Sequence, residues 1–285
     1  MISKLPLGIS SWSLNAIAPP ELFGILEGAD CPPEHAEAVR AHFDEVADLI
    51  LGSEIRSVEL WHSQVLWDAR VSEPLDRLAA AGLIFSQHAP PCDPSSPGEA
   101  VRREAVRACS SAASLLSRFG GRTLVVHAGP QANPPERIRA SAASIAEIAD
   151  YCADLGVSLA LELLPPPNLG NSASELLELL KLIERPNVGV CIDVNHVFPP
   201  EHLLPAVHLL GPRIFTLHIS DYDGTERHWL PMRGTIDWPG LVYALRQVGY
   251  PGPFMYEARF EAASLSEAIS TIRGNYRVVM DAAGG

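Results

Sequence analysis

Four segments rich in apolar residues each carry one side chain that is expensive to bury: Glu162 in SLALELLP, Asp193 in VGVCIDVNH, His218 in IFTLHISD and Glu257 in PFMYEAR. An ionisable group in such a run is unfavourable unless it is paired or holds a cation. Three carboxylates and one imidazole form a donor set of mostly hard oxygens, with coordination positions left over for a substrate. That composition favours Mn2+, Mg2+ or Co2+, with an open-sited Zn2+ as the other candidate. The alternative is four unrelated buried groups. It requires cationic partners on neighbouring strands, and the strand-like segments contain almost none.

Converging these residues is a task for the fold. Strand-like runs recur at about 7–13, 55–61, 83–89, 123–129, 158–164, 188–194, 214–220 and 253–259, with apolar residues at helical spacing between them. Several helical segments close on glycine (Gly52, Gly82, Gly120, Gly156 and Gly249), a common helix ending. Strict β–α alternation implies parallel strands with right-handed crossovers. Eight units in 285 residues match an α/β chain folded as a single (β/α)8 TIM barrel over residues 1–285. An open doubly wound sheet competes less well, because no GxGxxG follows the first strand and no linker divides the chain.

In such a barrel the catalytic groups gather at the C-terminal ends of the strands, where all four candidates lie, on consecutive strands. Further polar residues sit at the same ends: Glu59 and His62 at the end of strand two, His88 on strand three, His127 on strand four and His196 three residues beyond Asp193. A long segment after strand seven, DYDGTERHWLPMRGTIDW, exceeds the usual loop of about two to six residues and reads as a lid or site-forming loop. His88, His127, His196, His228 and Arg233 are the candidates for contacting substrate. Trp12, expected at the end of strand one, is the aromatic candidate for the pocket wall.

Bulk properties narrow the class. Apolar residues make up 47% and charged residues 19%, enough for a large core and unlike a disordered chain. No apolar run approaches the length of about 18 residues that a membrane span needs. The N-terminal segment lacks the pattern of a secretory signal, and five cysteines without paired spacing fit a reducing cytoplasm. Cys109, Cys152 and Cys191 read as buried hydrophobes. The net charge of −13, with only Lys4 and Lys181 as lysines, disfavours a polyanionic partner such as nucleic acid. A homo-oligomer is compatible with the sequence but not specified by it.

As an ordered set, ALELLP, CIDVNH, LHISDYDG, ERHWLP…GTIDW and MYEAR resemble the xylose isomerase-like barrel superfamily. That superfamily holds sugar and sugar-phosphate isomerases and epimerases, inosose dehydratases and the endonuclease IV type of repair enzyme. The resemblance runs from strand two to strand eight. It implies that Glu162, Asp193, His218 and Glu257 bind one divalent metal, that Glu162 and Glu257 form the acid/base pair, and that His196 contacts the substrate. The reaction so implied is proton transfer through an enediolate of a small sugar, sugar phosphate or polyol. One departure stands out: where many members read H-x-x-P-G-E-G, this chain has His228-Trp-Leu-Pro231-Met232-Arg233-Gly234. The missing glycine and acid change that loop, so the substrate does not carry over.

Two other classes compete. The endonuclease IV type holds three zinc ions with nine ligands, and counterparts for all nine exist here: His88, His127, Glu162, Asp193, His196, His218, Glu226, His228 and Glu257. A DNA enzyme must also grip phosphates, and around the expected mouth only Arg70, Arg227, Arg233 and Arg259 are placed to do so. A barrel that has lost its chemistry and only binds a partner predicts a broken ligand set, and this set is intact.

Overall fold

The computed structural model describes residues 5–130 and 135–284. Its strands are β1 (Leu7–Ser10), β2 (Ser57–Leu60), β3 (Ile84–His88), β4 (Thr123–Val126), β5 (Ser158–Glu162), β6 (Val188–Asp193), β7 (Ile214–His218) and β8 (Phe254–Tyr256). The helices are α1 (Ser11–Asn15), α2 (Pro20–Leu26), α3 (Ala36–Leu51), α4 (Ala69–Ala80), α5 (Glu99–Arg118), α6 (Pro135–Asp154), α7 (Ala173–Ile183), α8 (Leu203–Leu210), α9 (Trp238–Gln247) and α10 (Leu265–Ala282). All strand pairings are parallel, in the order β7-β6-β5-β4-β3-β2-β1-β8. The seam between β7 and β8 is closed just past β7, where the Ile219 N–H donates to the Met255 carbonyl at 2.8 Å and the Glu257 N–H to the Ile219 carbonyl at 3.1 Å. The result is the expected (β/α)8 barrel.

Alternation along the strands sorts the core into two shells. Outward residues such as Leu124, Val126, Leu159, Leu161, Val190 and Ile192 join the helix faces in one continuous cluster. Inside the barrel a small separate cluster, Val125, Ala160 and Cys191, lies one layer below the polar mouth. Gly8 belongs to the same economy of space: a Cβ there would lie 2.9 Å from Met255 Sδ.

Helix ends follow the sequence signals closely. Gly82, Gly120, Gly156 and Gly249 take positive φ, whereas Gly52 closes α3 at φ −81. Side chains of Asp68, Ser172, Asp237 and Ser264 cap α4, α7, α9 and α10, each accepting a backbone N–H that the first turn leaves unpaired.

The strands are shorter than the sequence implies at both ends of the chain. The run 7–13 leaves the sheet at Ser10 and becomes α1. There Ser11 Oγ accepts the Trp61 N–H at 2.7 Å and Ser13 Oγ accepts the Ala258 N–H at 2.9 Å. Those two hydroxyls satisfy the ends of β2 and β8 in place of a longer β1, so Trp12 sits on a helix and not on a strand. Of the run 253–259 only Phe254–Tyr256 is strand, which makes Glu257 the first residue beyond β8.

One buried histidine makes stability depend on pH. His42 on α3 packs edge-on against Phe43, and burial holds its pKa down to about 4 from 6.5. The folded chain therefore binds this proton less readily than the unfolded chain. Its contribution is complete above pH 6.5 and is lost as pH falls towards 4. At pH 5 the loss amounts to about 2 kcal/mol. His42→Leu should narrow the gap in thermal midpoint between pH 7.5 and pH 5, and midpoints that fall in parallel for both proteins would contradict this.

Candidate metal centre and active site

Glu162, Asp193 and His218 are the last residues of β5, β6 and β7, and Glu257 follows β8. Each offers one ligand atom within 4.8 Å of the others, and all four are buried. Two further groups share members with this one: His88, His127 and Glu162, and Asp193, His196 and His228. His88 ends β3, His127 follows β4, His196 lies in a short turn after β6, and His228 comes from the loop after β7. Every sequence-predicted metal candidate is thus brought to one mouth.

Hydrogen bonding fixes which ring nitrogens face the centre. His88 Nδ1 donates to the Ala89 carbonyl at 2.9 Å, so its Nε2, 3.1 Å from Glu162 Oε2, presents a lone pair to a carboxylate when the ring is neutral. His196 Nδ1 donates to the Leu163 carbonyl at 3.2 Å. That use of the proton explains why Asp193 Oδ2, only 3.1 Å from the same nitrogen, has no hydrogen bond. His218 Nε2 lies 2.9 Å from Glu59 Oε1, which turns Nδ1 inward towards Glu162 Oε1 at 3.3 Å and Glu257 Oε2 at 3.2 Å. The His218–Glu59 contact is close but poorly aligned, and neither atom completes a hydrogen bond. Glu257 Oε1 is likewise buried without a partner.

Inward lone pairs and orphaned carboxylate oxygens in one small space are what a cation satisfies, so these residues fit a divalent ion. Without one, charge balance falls to the imidazoles. Burial works to raise the Glu162 carboxyl, but His218 and His127 outweigh it and hold the pKa well below the usual range. Glu257 is also lowered, burial again being overcome, chiefly by His218. At Asp193 burial wins over His196 and His228, and the pKa rises. Burial alone would lower the histidines, yet the carboxylates hold His88 up, His218 well up and His196 at about 9.

The loop after β7, residues 219–237, is pinned at two points. Asn195 Oδ1 accepts the N–H groups of Arg227 and His228 at 3.1 and 3.0 Å. Buried Asp221 accepts from the Tyr222 and Arg233 N–H groups and from Trp238 Nε1. Met232 takes a left-handed φ of 72, a conformation that costs a non-glycine residue about 1 kcal/mol. Arg233 is exposed, and its backbone N–H is what it gives to this loop, so the structure does not bring its side chain into the cluster. Trp12 does reach the mouth: its ring lies 5.1 Å from His228 and 6.0 Å from Trp61, with the Arg259 guanidinium 4.4 Å above it.

Glu59 and Asn195 have larger parts in the site than the sequence pattern implies. Glu59 is fully buried on β2, with Ser86 Oγ donating to Oε2 at 2.8 Å. Its signal was an acid in SVEL facing the same interior as His218. Asn195 was visible only as the residue beside His196.

Residues 43–274 match the family described as a xylose isomerase-like TIM barrel. The chain belongs to this family. L-ribulose 3-epimerase of Methylomonas sp. (strain DH-1) is 27% identical over 232 residues, covering 78% of this chain and 76% of that protein. Ketose 3-epimerase of Arthrobacter globiformis is 26% identical over 140 residues, covering 48% of this chain and 47% of the relative. Among solved structures, a D-tagatose 3-epimerase-like protein superposes with a TM-score of 0.74 over 98% of both chains at 19% identity. No helix among the described residues is long and apolar enough to cross a membrane.

Orientation of His218 by Glu59 has a measurable consequence. Loss of a carboxylate that orients a ligating histidine typically weakens metal binding about 10–100-fold. Glu59→Gln should therefore lower affinity for Mn2+ by at least about tenfold while leaving the far-UV circular dichroism unchanged. Unaltered Mn2+ affinity in a calorimetric titration would remove Glu59 from this role.

Proposed function

We propose that the chain is a divalent-metal-dependent isomerase or epimerase of a small sugar, sugar phosphate or polyol, moving a proton beside a carbonyl through an enediolate. The observation that carries this reading is a pair of buried glutamates, Glu162 and Glu257, facing the same inward nitrogen of His218. The relatives named above are epimerases of ketoses, which supports a ketose as the first substrate class to try.

Glu162, Asp193, His218 and Glu257 would hold the ion, with Mn2+, Mg2+ or Co2+ preferred by the oxygen-rich set and Zn2+ as the alternative. When bound, the ion polarises the substrate carbonyl and stabilises the charge that develops as the neighbouring carbon loses its proton. Glu162 and Glu257 divide removal and return of that proton. Their surroundings are unequal. Glu257 keeps Oε1 free of hydrogen bonds, whereas Glu162 Oε2 is held by His88 at 3.1 Å and His127 at 2.9 Å. Glu257 is thus the readier proton acceptor, and the imidazoles beside Glu162 steady its charge. His196 and His228 are placed to hold substrate hydroxyls, and Trp12 supplies an apolar wall.

A second reading is favoured by one specific observation, the three overlapping ligand groups, which match a three-zinc phosphodiesterase of the endonuclease IV type. The cations near the mouth argue against it. Arg70 is tied to Asp68 at 2.9 Å, Arg227 to Asp223 at 3.2 Å, and Arg259 is stacked on Trp12. That leaves little to grip a duplex.

Glu162→Gln and Glu257→Gln should each reduce solvent-deuterium incorporation into a ketose substrate by about 10²–10⁴-fold, with metal content checked in the same samples. Full activity of both variants on an identified sugar would end the two-glutamate mechanism. Elemental analysis should find about one divalent ion per chain. Three zinc ions, together with incision of an abasic-site duplex, would put the phosphodiesterase in its place.

A further inference from the structure

Beside the metal cluster, between the segments that follow β2 and β3 and the outer face of α5, lies a groove of about 800 Å3. That is near the upper end of pockets that enclose drug-sized ligands, roughly 300–1,000 Å3. The groove meets the mouth at His62, which lines it and whose ring lies 5.8 Å from that of His88. Glu27 lines the same end, its carboxylate held by Asn15 Nδ2 at 3.0 Å.

The lining has a definite chemical character. One side is a run of small apolar positions on α5, Ala105, Ala108 and Ala112. The ring of Trp67, 54% exposed, stands at the rim. Gln87 on β3 is 97% buried, lines the groove, and has its amide oxygen without a hydrogen-bond partner. An orphaned buried oxygen is costly unless a donor arrives from outside the chain. Glu27 adds an acceptor, whereas Asp93 and Glu104 are already paired with Arg137 and Arg107, and no lysine or arginine lines the groove among the described residues.

We propose that this groove is a subsite for an arm carried by the sugar, aliphatic in its body and bearing amine donors, so that the preferred substrate is an aminated sugar conjugate and not a free ketose. The amine next to the sugar meets Glu27, the methylenes lie along the alanines of α5, and a distal donor reaches Gln87. An anionic arm meets Glu27 and, among the described residues, no lysine or arginine of the lining to pair with. This inference rests on the epimerase reading for the chemistry at the mouth, but the groove can be tested separately.

The test uses Mn2+-loaded protein and three probes: D-fructose, 1-deoxy-1-(6-aminohexylamino)-D-fructose, and the matching conjugate whose arm ends in a carboxylate. Solvent-deuterium exchange should show kcat/KM at least about tenfold higher for the amine-terminated conjugate than for D-fructose, with the carboxylate arm gaining nothing. Ala108→Trp, on the half-buried face of α5, should erase that gain and leave exchange into D-fructose within about twofold. Equal turnover of conjugate and free sugar, or parallel loss for both in the variant, overturns the subsite. If no probe exchanges, the epimerase reading has failed, and calorimetric binding of the amine-terminated conjugate then decides. Binding that Ala108→Trp abolishes upholds the groove, and absent or unaffected binding refutes it.

Discussion

Burial of Glu162, Asp193 and Glu257 in one small volume is the constraint on which the barrel mouth depends. Carboxylates within 4.8 Å of one another repel by about 3 kcal/mol or more per pair at an effective dielectric constant near 20. Water cannot relieve this, because Asp193 is fully buried and Glu162 and Glu257 nearly so. Positive charge must come from somewhere. The chain provides imidazoles such as His88 and His218, whose outer nitrogens face the Ala89 carbonyl and Glu59 and whose inner nitrogens face the carboxylates. Such a ring can carry a proton or donate a lone pair to a cation, so one geometry serves either source of positive charge.

The barrel makes this packing possible by grading side-chain size along its axis. Met255 occupies the space left by Gly8, and Val125, Ala160 and Cys191 form a thin apolar layer above. The next inward positions on β5 and β6, two residues along, are Glu162 and Asp193. A larger residue at 160 or 191 would push those carboxylates up and apart. Cys191 has no chemical role in this arrangement: burial drives its thiol pKa far above the usual range. Small volume is what that position contributes.

Most of the fold was legible because period and punctuation agree. Eight apolar runs at the right intervals and five helix-ending glycines, four of them left-handed in the structure, all point to β/α units. The four ligand candidates stood out for a related reason, each being an isolated charge in a strand whose position in a barrel is known. What escaped lies in contacts between strands distant in sequence. Nothing in SVEL says that Glu59 will face His218, 159 positions later, and Asn195 acts on a loop more than 30 residues away through its amide oxygen. Strand ends were overcalled because apolar character continues past the last paired residue: Trp12 and Leu14 are buried although β1 has ended. Met232 stands in a left-handed turn, held by the bond from the Arg233 N–H to Asp221, a conformation that no pattern of residue types around it announces.

Because the centre is a coupled set, its members do not contribute independently. Removing one carboxylate relieves repulsion but leaves an imidazole N–H without its acceptor, and removing one imidazole leaves buried negative charge without compensation, which is the costlier change. Replacements on the carboxylate side are therefore compatible with a folded chain, whereas His218, the ring that Glu162, Glu257 and Glu59 all face, is the member whose loss leaves most charge stranded. The asymmetry also explains why an acidic protein can carry so basic a set of histidines at its centre. They are raised by the neighbours they neutralise, and that local balance is independent of the net charge of −13. Overall acidity governs what approaches the mouth, and the balance inside it governs what can be bound there.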